Sequence, residues 1–167
     1  VSQTPWLTVI TVVKDDHEGL ARTYSSLAGA DNNGVEFLVI DSSTDHAEVG
    51  RTLKQSGLQV QLHWTAPEGI YSAMNQGLTL ANGTFVYFLN AGDELAPRAL
   101  TRLRSHLMST DTKWAFGPVE IVGTDGTVIV TENINFQEER NYCFARGRFP
   151  AHQGTIVRTE ALQALGG

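Results

Sequence analysis

The sequence predicts an α/β fold with a mostly parallel twisted sheet, helices on both of its faces and an antiparallel C-terminal part. Between residues 7 and 108, apolar runs of strand length alternate four times with segments of helical periodicity. The runs 7–13 and 85–89 lack regular polar alternation, which is typical of strands covered on both faces, whereas the run 58–64 alternates like a less buried strand. The alternation of strands with helices implies parallel strands joined by right-handed crossovers.

The four predicted strand and helix pairs follow one another directly along the chain. They are strands over 7–13, 35–40, 58–64 and 85–89, and helices over 18–28, 45–55, 70–81 and 96–108. Thr44 or Asp45 is expected to cap the second helix. Gly83 is expected to end the third helix in a left-handed conformation. Pro97 suits the first turn of the fourth helix.

The pattern changes after residue 108. Asp125-Gly126 lies between the β-rich runs 113–122 and 127–130, which predicts a hairpin. Residues 131–149 have no clear periodicity, and a long loop or short helix is expected there. A last strand over 153–158 and a helix that begins at Thr159 complete the antiparallel part.

Composition excludes several classes of protein. The chain has 167 residues, a net charge of −6 and no basic run, which argues against a nucleic-acid surface. Cys143 is its only cysteine, so no internal disulfide is expected. No apolar run reaches the ~18 residues of a membrane span. A cytoplasmic protein is therefore expected, with peripheral association at the inner face of the membrane as one option.

We expect residues 1–167 to form a single domain, since no linker, repeat or low-complexity tract interrupts the chain. The first residue is not Met and the last two are Gly166-Gly167. A fragment truncated at its C-terminus is therefore expected. The oligomeric state is left open.

Polar residues follow three of the buried strands. Asp15 and Asp16 follow the first, Asp41 the second, and Asn90 and Asp93 the fourth. Carboxyl ends of parallel strands line one edge of a sheet, where ligands bind in folds of this kind. Asp93 offers the hard oxygen ligands that Mg²⁺ or Mn²⁺ takes together with phosphate. Alternatively, each residue satisfies only local backbone groups in a turn.

Several other kinds of site are disfavoured by the motifs that are missing. No Gly-x-Gly-x-x-Gly follows the first strand, and no Gly-Lys-Ser/Thr loop occurs, so dinucleotide and P-loop sites are disfavoured. No Cys and His set has zinc spacing. Ser42 and Ser43 lack the context of a hydrolase nucleophile. What remains is a site of acids, amides and hydroxyls, in which Asp41 suits an N–H of a pyrimidine base.

Five segments in order resemble motifs of the family 2 glycosyltransferases with the GT-A fold. They are residues 7–15, 39–45, 69–77, 88–93 and 152–153. The resemblance covers nearly all of the chain. The middle segments are similar to the branch that makes bacterial cell-surface polysaccharides.

The resemblance implies a nucleotide-sugar donor, most often a UDP-sugar, and a saccharide or lipid-linked acceptor. It also implies Mn²⁺ or Mg²⁺ as cofactor, held by Asp93, and base recognition by Asp41. The residues implied for nucleotide and donor binding are Thr11, Val12, Val13, Asp15, Asp41, Tyr71, Asn75, Asn90 and Asp93. His152 and Gln153 are implied on the acceptor side, and with Tyr71 the His152 ring is expected to line the sugar pocket.

The chain departs from the family pattern at the metal motif. Asn90-Ala91-Gly92 stands where the family commonly has Asp-x-Asp. Only Asp93 keeps a carboxylate, so metal affinity is expected to be weak without donor phosphates. Ser72 replaces a usual Asp, and Lys14 stands where an aromatic residue is common.

The mechanism implied is a single displacement with inversion at the sugar carbon, which needs a carboxylate general base. That base is expected beyond Gly167, and Glu132, Glu138 and Glu139 are weaker candidates. Two alternatives stay open: a nucleotide-sugar-binding module without catalysis, and a sugar nucleotidyltransferase. Residues 14–19 are too acidic for the triphosphate loop of the latter class.

Overall fold

The computed structural model describes residues 4–132, 141, 145, 147 and 150–166. Its helices are α1 (His17–Ala28), α2 (His46–Gln55), α3 (Ile70–Leu80), α4 (Ala99–Met108) and α5 (Thr159–Gln163). Its strands are β1 (Leu7–Val13), β2 (Val35–Asp41), β3 (Gln61–Trp64), β4 (Phe85–Phe88), β5 (Trp114–Phe116), β6 (Val119–Val122), β7 (Val128–Glu132) and β8 (Thr155–Arg158). The predicted loop or helix over 131–149 lies largely outside the described residues, as does Cys143.

Six strands form one sheet in the order β3-β2-β1-β4-β8-β5. The four strands from β3 to β4 pair in parallel, whereas β8 is antiparallel to both of its neighbours. Strands β6 and β7 form a separate antiparallel hairpin around the predicted Asp125-Gly126 turn. The predicted mostly parallel sheet with an antiparallel C-terminal part is therefore confirmed.

Helices cover both faces of the sheet, as predicted. Leu7, Val9 and Val13 of β1 belong to the same core cluster as buried residues of α1, α2 and α4. Ile10 and Val12 point to the other face and pack with buried residues of α3. All seven residues of β1 are buried. Each buried Leu, Val and Ile side chain of β1 contributes about 1.5–3 kcal/mol. β1 lies inside the sheet, between β2 and β4.

Several predicted element bounds differ from those of the structure. Strand β3 is shorter than predicted, since it is an outer strand with β2 as its neighbour, and their pairing begins at Gln61. Helix α4 begins later than Pro97, after a left-handed residue at Arg98. The run 113–122 splits into β5 and β6 because Pro118 has no N–H for a ladder. Residues 152–154 form a 3₁₀ turn before β8.

The predicted role of Gly83 is wrong. Gly83 is not among the residues with positive φ. Its N–H donates to Thr8 Oγ1 at 2.8 Å, and its carbonyl accepts from Thr159 Oγ1 at 2.6 Å. A Cβ at this position would lie 2.5 Å from the backbone nitrogen of Thr8 and 2.7 Å from the carbonyl carbon of Leu7. Glycine is needed here because the chain passes directly against β1.

Within the described residues, no helix is both long enough and apolar enough to cross a membrane.

Replacing Gly83 with Ala should destabilise the fold by about 1–3 kcal/mol, because the new methyl group meets backbone atoms of β1. Chemical denaturation measures the free energy of unfolding. Gly50→Ala is the matched control: no atom lies within 4 Å of its added Cβ. That helical change should stabilise by about 0.5–1 kcal/mol. Equal stability of Gly83→Ala and wild type would contradict the close approach.

Candidate functional site

The ends of β1, β2 and β4 lie side by side at one edge of the sheet. Val13, the last residue of β1, is in register with Asp41, the last residue of β2. On the other side of β1, the N–H of Ala91 donates to the carbonyl of Val12 at 3.2 Å. The residues that follow β2 and β4 therefore leave the sheet on either side of the end of β1, as predicted.

The Asn90–Asp93 loop is held by a hydroxyl from α1. Thr23 is fully buried, and its Oγ1 donates to the carbonyl of Asp93 at 2.7 Å. The same oxygen accepts the N–H of Gly92 at 3.0 Å. Gly92 has φ of 95°, a conformation that favours glycine. Thr23 thus fixes the backbone from which the Asp93 side chain projects.

The side chain of Asp93 is half-buried, and burial raises the pKa of this carboxyl. The backbone hydrogen bond with Asn90 and the charge of His152 partly oppose this shift. The Asn90 Nδ2 lies 3.3 Å from His152 Nε2, while the buried Asn90 Oδ1 has no hydrogen-bond partner among the described residues. A cation near Asp93 would therefore offset an unfavourable charge.

Gln153 joins the same edge through its backbone. The Tyr87 hydroxyl donates to the Gln153 carbonyl at 2.6 Å. Burial raises the pKa of the Tyr87 phenol, and the Asp93 charge adds to the shift. The structure therefore brings four predicted residues together: Asn90, Asp93, His152 and Gln153.

This donor set fits a divalent cation that is completed by other ligands. No group of three or more His, Cys, Asp or Glu side chains is arranged for a metal in the described part of the chain. Asp93 supplies one carboxylate, and Asn90 Oδ1, in the same loop, is a neutral oxygen acceptor without a partner among the described residues. Mg²⁺ commonly binds through one or two carboxylates together with substrate phosphates and water.

On the other side of β1, Asp41 lies in a hydrogen-bonded cluster. Its carboxylate is 1% exposed, and Oδ1 accepts the N–H of Ser43 at 2.7 Å. Oδ2 lies 2.8 Å from Nδ1 of His46, the first residue of α2. Each oxygen of the Asp41 carboxylate therefore already has a partner in the protein.

Asp15 connects the loops that follow β1 and β2. Its Oδ1 accepts both the Oγ1 hydroxyl of Thr44 at 2.5 Å and the N–H of Thr44 at 2.8 Å. Its own N–H donates to the Oγ of Ser43 at 2.8 Å. The hydrogen bonds from Thr44 hold the pKa of the Asp15 carboxyl below its ordinary value. Ser43 thus links the Asp15 and Asp41 loops.

A cavity of about 780 Å³ opens between these loops and the first turns of α1 and α2. It is lined by Asp15, Asp16, His17, Ser43, Thr44, Asp45, Glu48 and Val49. Two of its carboxylates cap the helices: Asp16 accepts the N–H of Gly19, and Asp45 that of Glu48. Four acids make this cavity unfavourable for a bare anion.

The remaining predicted residues lie in β1, where Val12 and Val13 contact the two loops through their backbone, and on α3. Thr11, Val12 and Val13 are buried within β1, and the Val13 carbonyl accepts the N–H of Ser42. Tyr71 is 76% exposed, and Asn75 is exposed one turn later on α3. Neither makes a hydrogen bond to Asp41 or Asp93 within the described residues. The functional roles of all the predicted site residues stay predictions.

Sequence reasoning missed Thr23, His46 and Trp64. Thr23 interrupts the apolar face of α1, and a polar residue on such a face needs a buried partner. That signal was available in the sequence. His46 and Trp64 carry no comparable signal, because only the fold places them beside Asp41.

Residues 8–166 match the family model described as glycosyl transferase family 2, and the chain belongs to that family. A relative in Mycobacterium tuberculosis (strain CDC 1551 / Oshkosh), described as the uncharacterized glycosyltransferase MT1564, is 29% identical over 133 residues. The match covers 75% of this chain and 50% of that protein. The chain thus spans about half the length of the curated relatives that it matches.

Solved structures share the GT-A fold. The structure of S. aureus TarS 1-349 in complex with UDP has a TM-score of 0.74 at 20% identity, covering 96% of this chain and 48% of that one. The mannosyltransferase PcManGT from Pyrobaculum calidifontis, in complex with GDP-Man and Mn²⁺, has a TM-score of 0.67 at 19% identity. That match covers 99% of this chain and 48% of the mannosyltransferase.

Thr23→Val should destabilise the protein by about 1–3 kcal/mol, because the Gly92 N–H and the Asp93 carbonyl lose their buried partner. Thermal and chemical denaturation measure the loss. Thr79→Val makes the same change on the exposed face of α3, where Oγ1 donates to the Asn75 carbonyl and to no other described residue. If the two variants were equally stable, Thr23 would not hold the loop.

Asp93→Asn should stabilise the metal-free protein at pH 8, and the gain should shrink as the pH falls toward 4. A carboxyl with a raised pKa in the fold stabilises only while protonated, and this contribution is lost as the pH rises through that pKa. The gain should stay below about 1 kcal/mol, because solvent still screens this half-buried group. Unfolding free energies across this pH range measure it.

Asp125→Asn should change the free energy of unfolding in the opposite direction. Hydrogen bonds from Thr127 hold the pKa of the Asp125 carboxyl low, so that substitution should destabilise at neutral pH. If both variants changed the free energy of unfolding in the same direction, burial would be excluded as the cause of the Asp93 effect.

Proposed function

We propose that this domain binds a nucleotide-diphosphate sugar, of which a UDP-sugar is the first candidate, and transfers the sugar to a saccharide or lipid-linked acceptor. The observation that supports this most directly is the position of Asp93. Its carboxylate lies at the same sheet edge as Asp41 and His152, in a chain that matches glycosyl transferase family 2 over residues 8–166. The polysaccharide and cell-envelope roles implied by the sequence resemblance belong to the same proposal.

Relatives of similar fold support the donor class. Structures of S. aureus TarS 1-349 are in complex with UDP and with UDP-GlcNAc, and PcManGT is in complex with GDP-Man and Mn²⁺. These ligands share a nucleoside diphosphate. The site has a partly desolvated carboxylate and few basic side chains. It therefore suits a diphosphate only when a divalent cation offsets the repulsion between the carboxylate and the phosphates.

In this proposal the two sides of β1 take different parts of the donor. The cluster of Asp41 and Ser43 lies at the base end, and the Asn90–Asp93 loop lies at the diphosphate end. Asp93 and Asn90 would hold Mn²⁺ or Mg²⁺, and the cation would stabilise the charge of the departing diphosphate. His152 and Gln153 would line the side from which the acceptor approaches.

Transfer with inversion also needs a group that removes the proton of the acceptor hydroxyl. We assign this role to no described residue. Glu138 and Glu139 lie outside the described residues, and the side chain of Glu132 is not described. We propose that the base lies outside residues 1–167, as expected from the family resemblance.

Calorimetry with UDP, in the presence and absence of Mn²⁺, tests the donor site. Wild type should bind UDP more tightly with Mn²⁺, and Asp93→Asn should lose about tenfold or more of that affinity, equivalent to about 1.4 kcal/mol. The exposed hairpin variant Asp125→Asn should bind like wild type. No heat with any nucleoside diphosphate would exclude the donor site.

Turnover separates the enzyme from a binding module. UDP release from a UDP-sugar is followed with this domain and with a longer chain of the same gene product. Binding without release by either protein would favour the non-catalytic module. Release by the longer chain alone would place the general base outside residues 1–167.

A further inference from the structure

The carboxylate of Asp41 is not an open ligand surface. It is 1% exposed, and each of its oxygens already has a protein partner, Ser43 or His46. A nucleotide base that bound directly to this carboxylate would have to compete with groups that hold it at 2.7 and 2.8 Å. The group nearest to solvent in this cluster is the His46 ring, whose side chain is 47% exposed.

Asp41 fixes which nitrogen of His46 carries the proton. An ionised carboxylate only accepts hydrogen bonds, so Nδ1 of His46 is the donor in their 2.8 Å contact. In the neutral ring, Nε2 is then a hydrogen-bond acceptor. Nε2 has no hydrogen-bond partner within the described residues. The pair therefore presents one fixed acceptor atom at the end of β2.

An exposed indole lies beside this acceptor. Trp64, the last residue of β3, is in register with Asp41 and is 60% exposed. Its ring centroid lies 5.5 Å from that of His46, with the two planes at 77°. Most of the indole surface stays in solvent, and an exposed aromatic face of this kind stacks on nucleobases.

We infer that His46, oriented by Asp41, reads the ring N–H of the donor base, and that Trp64 is the surface on which the base stacks. This inference rests on the proposed nucleotide-sugar function and assigns the base contact to residues that the sequence resemblance did not name. Asp41 is then a positioning residue, which acts through His46.

The chemistry of the bases gives this arrangement a definite selectivity. Uracil carries N3–H and guanine carries N1–H on their pairing edges, and both donate to an acceptor. Cytosine and adenine carry a lone pair at the corresponding atoms, which faces the lone pair of Nε2. The site should therefore accept uridine and guanosine diphosphates and reject cytidine and adenosine diphosphates, because a polar site disfavours a ligand that leaves its groups unpaired.

The experiment measures the affinities of UDP, GDP, CDP and ADP for the domain, with Mn²⁺ present, by calorimetry. Wild type should prefer UDP and GDP about tenfold. His46→Phe keeps an aromatic ring but removes the acceptor, so UDP and GDP should weaken to the level of CDP and ADP. Trp64→Ala should weaken all four ligands by a similar factor, because stacking is tolerant of the base.

His106→Phe is the matched control, since His106 is an exposed histidine in the last turn of α4. It should leave both affinity and base preference unchanged. Thermal denaturation checks the fold of every variant, and His46→Ala replaces His46→Phe if the larger ring does not fit. The preference ratio is the decisive readout, because a merely structural loss would weaken all four nucleotides together.

The outcomes separate the two levels of the proposal. If folded His46→Phe keeps the tenfold preference, Asp41 or another group reads the base directly, and the inference is overturned while the proposed function stands. If wild type binds UDP and CDP equally, the acceptor assignment is overturned in the same way. If wild type binds no nucleoside diphosphate, the proposed function fails and the inference fails with it.

Discussion

The pairing of β1 with β2 on one side and with β4 on the other is the constraint on which the rest of the structure depends. β1 pairs along all seven residues with β2 and through its first four residues with β4. Every side chain of β1 is buried, so neither register can slip without exposing core residues or burying polar ones. This fixed register places Asp41 on one side of Val13 and the Asn90–Asp93 loop on the other.

Small hydroxyl groups then fix the loops that follow these three strands. Thr23 holds the loop after β4, and Ser43 links the loops after β1 and β2. Each hydroxyl satisfies backbone groups that have no ladder partner, which buried polar groups require. The acidic side chains of the site therefore project from loops whose backbone is held by buried hydroxyl groups. Such support is what a binding site needs to hold its geometry.

The acids of the site differ in how far the protein compensates them. Asp41 is paired with His46, and Asp15 accepts two hydrogen bonds from Thr44. Asp93 is half-buried, and burial raises the pKa of its carboxyl. A cation and a diphosphate would complete the charge balance at Asp93, whereas both oxygens of Asp41 already have hydrogen-bond partners in the protein. This asymmetry is why the proposed donor lies with its phosphates toward β4 and its base toward β2 and β3.

The sequence alone determined the fold class, the alternation of strands and helices along the chain, and which acids follow the strands. Buried strands and amphipathic helices leave periodic patterns that can be read without knowing which elements pack together. The sequence could not determine that Gly83 is set against β1, or that the Asp93 loop is the partner of the Thr23 hydroxyl. Only the tertiary structure decided those features, and it also placed His46 and Trp64 beside Asp41. The physical reason is that each depends on contacts between residues far apart in the chain or on different elements, and such contacts leave no local pattern.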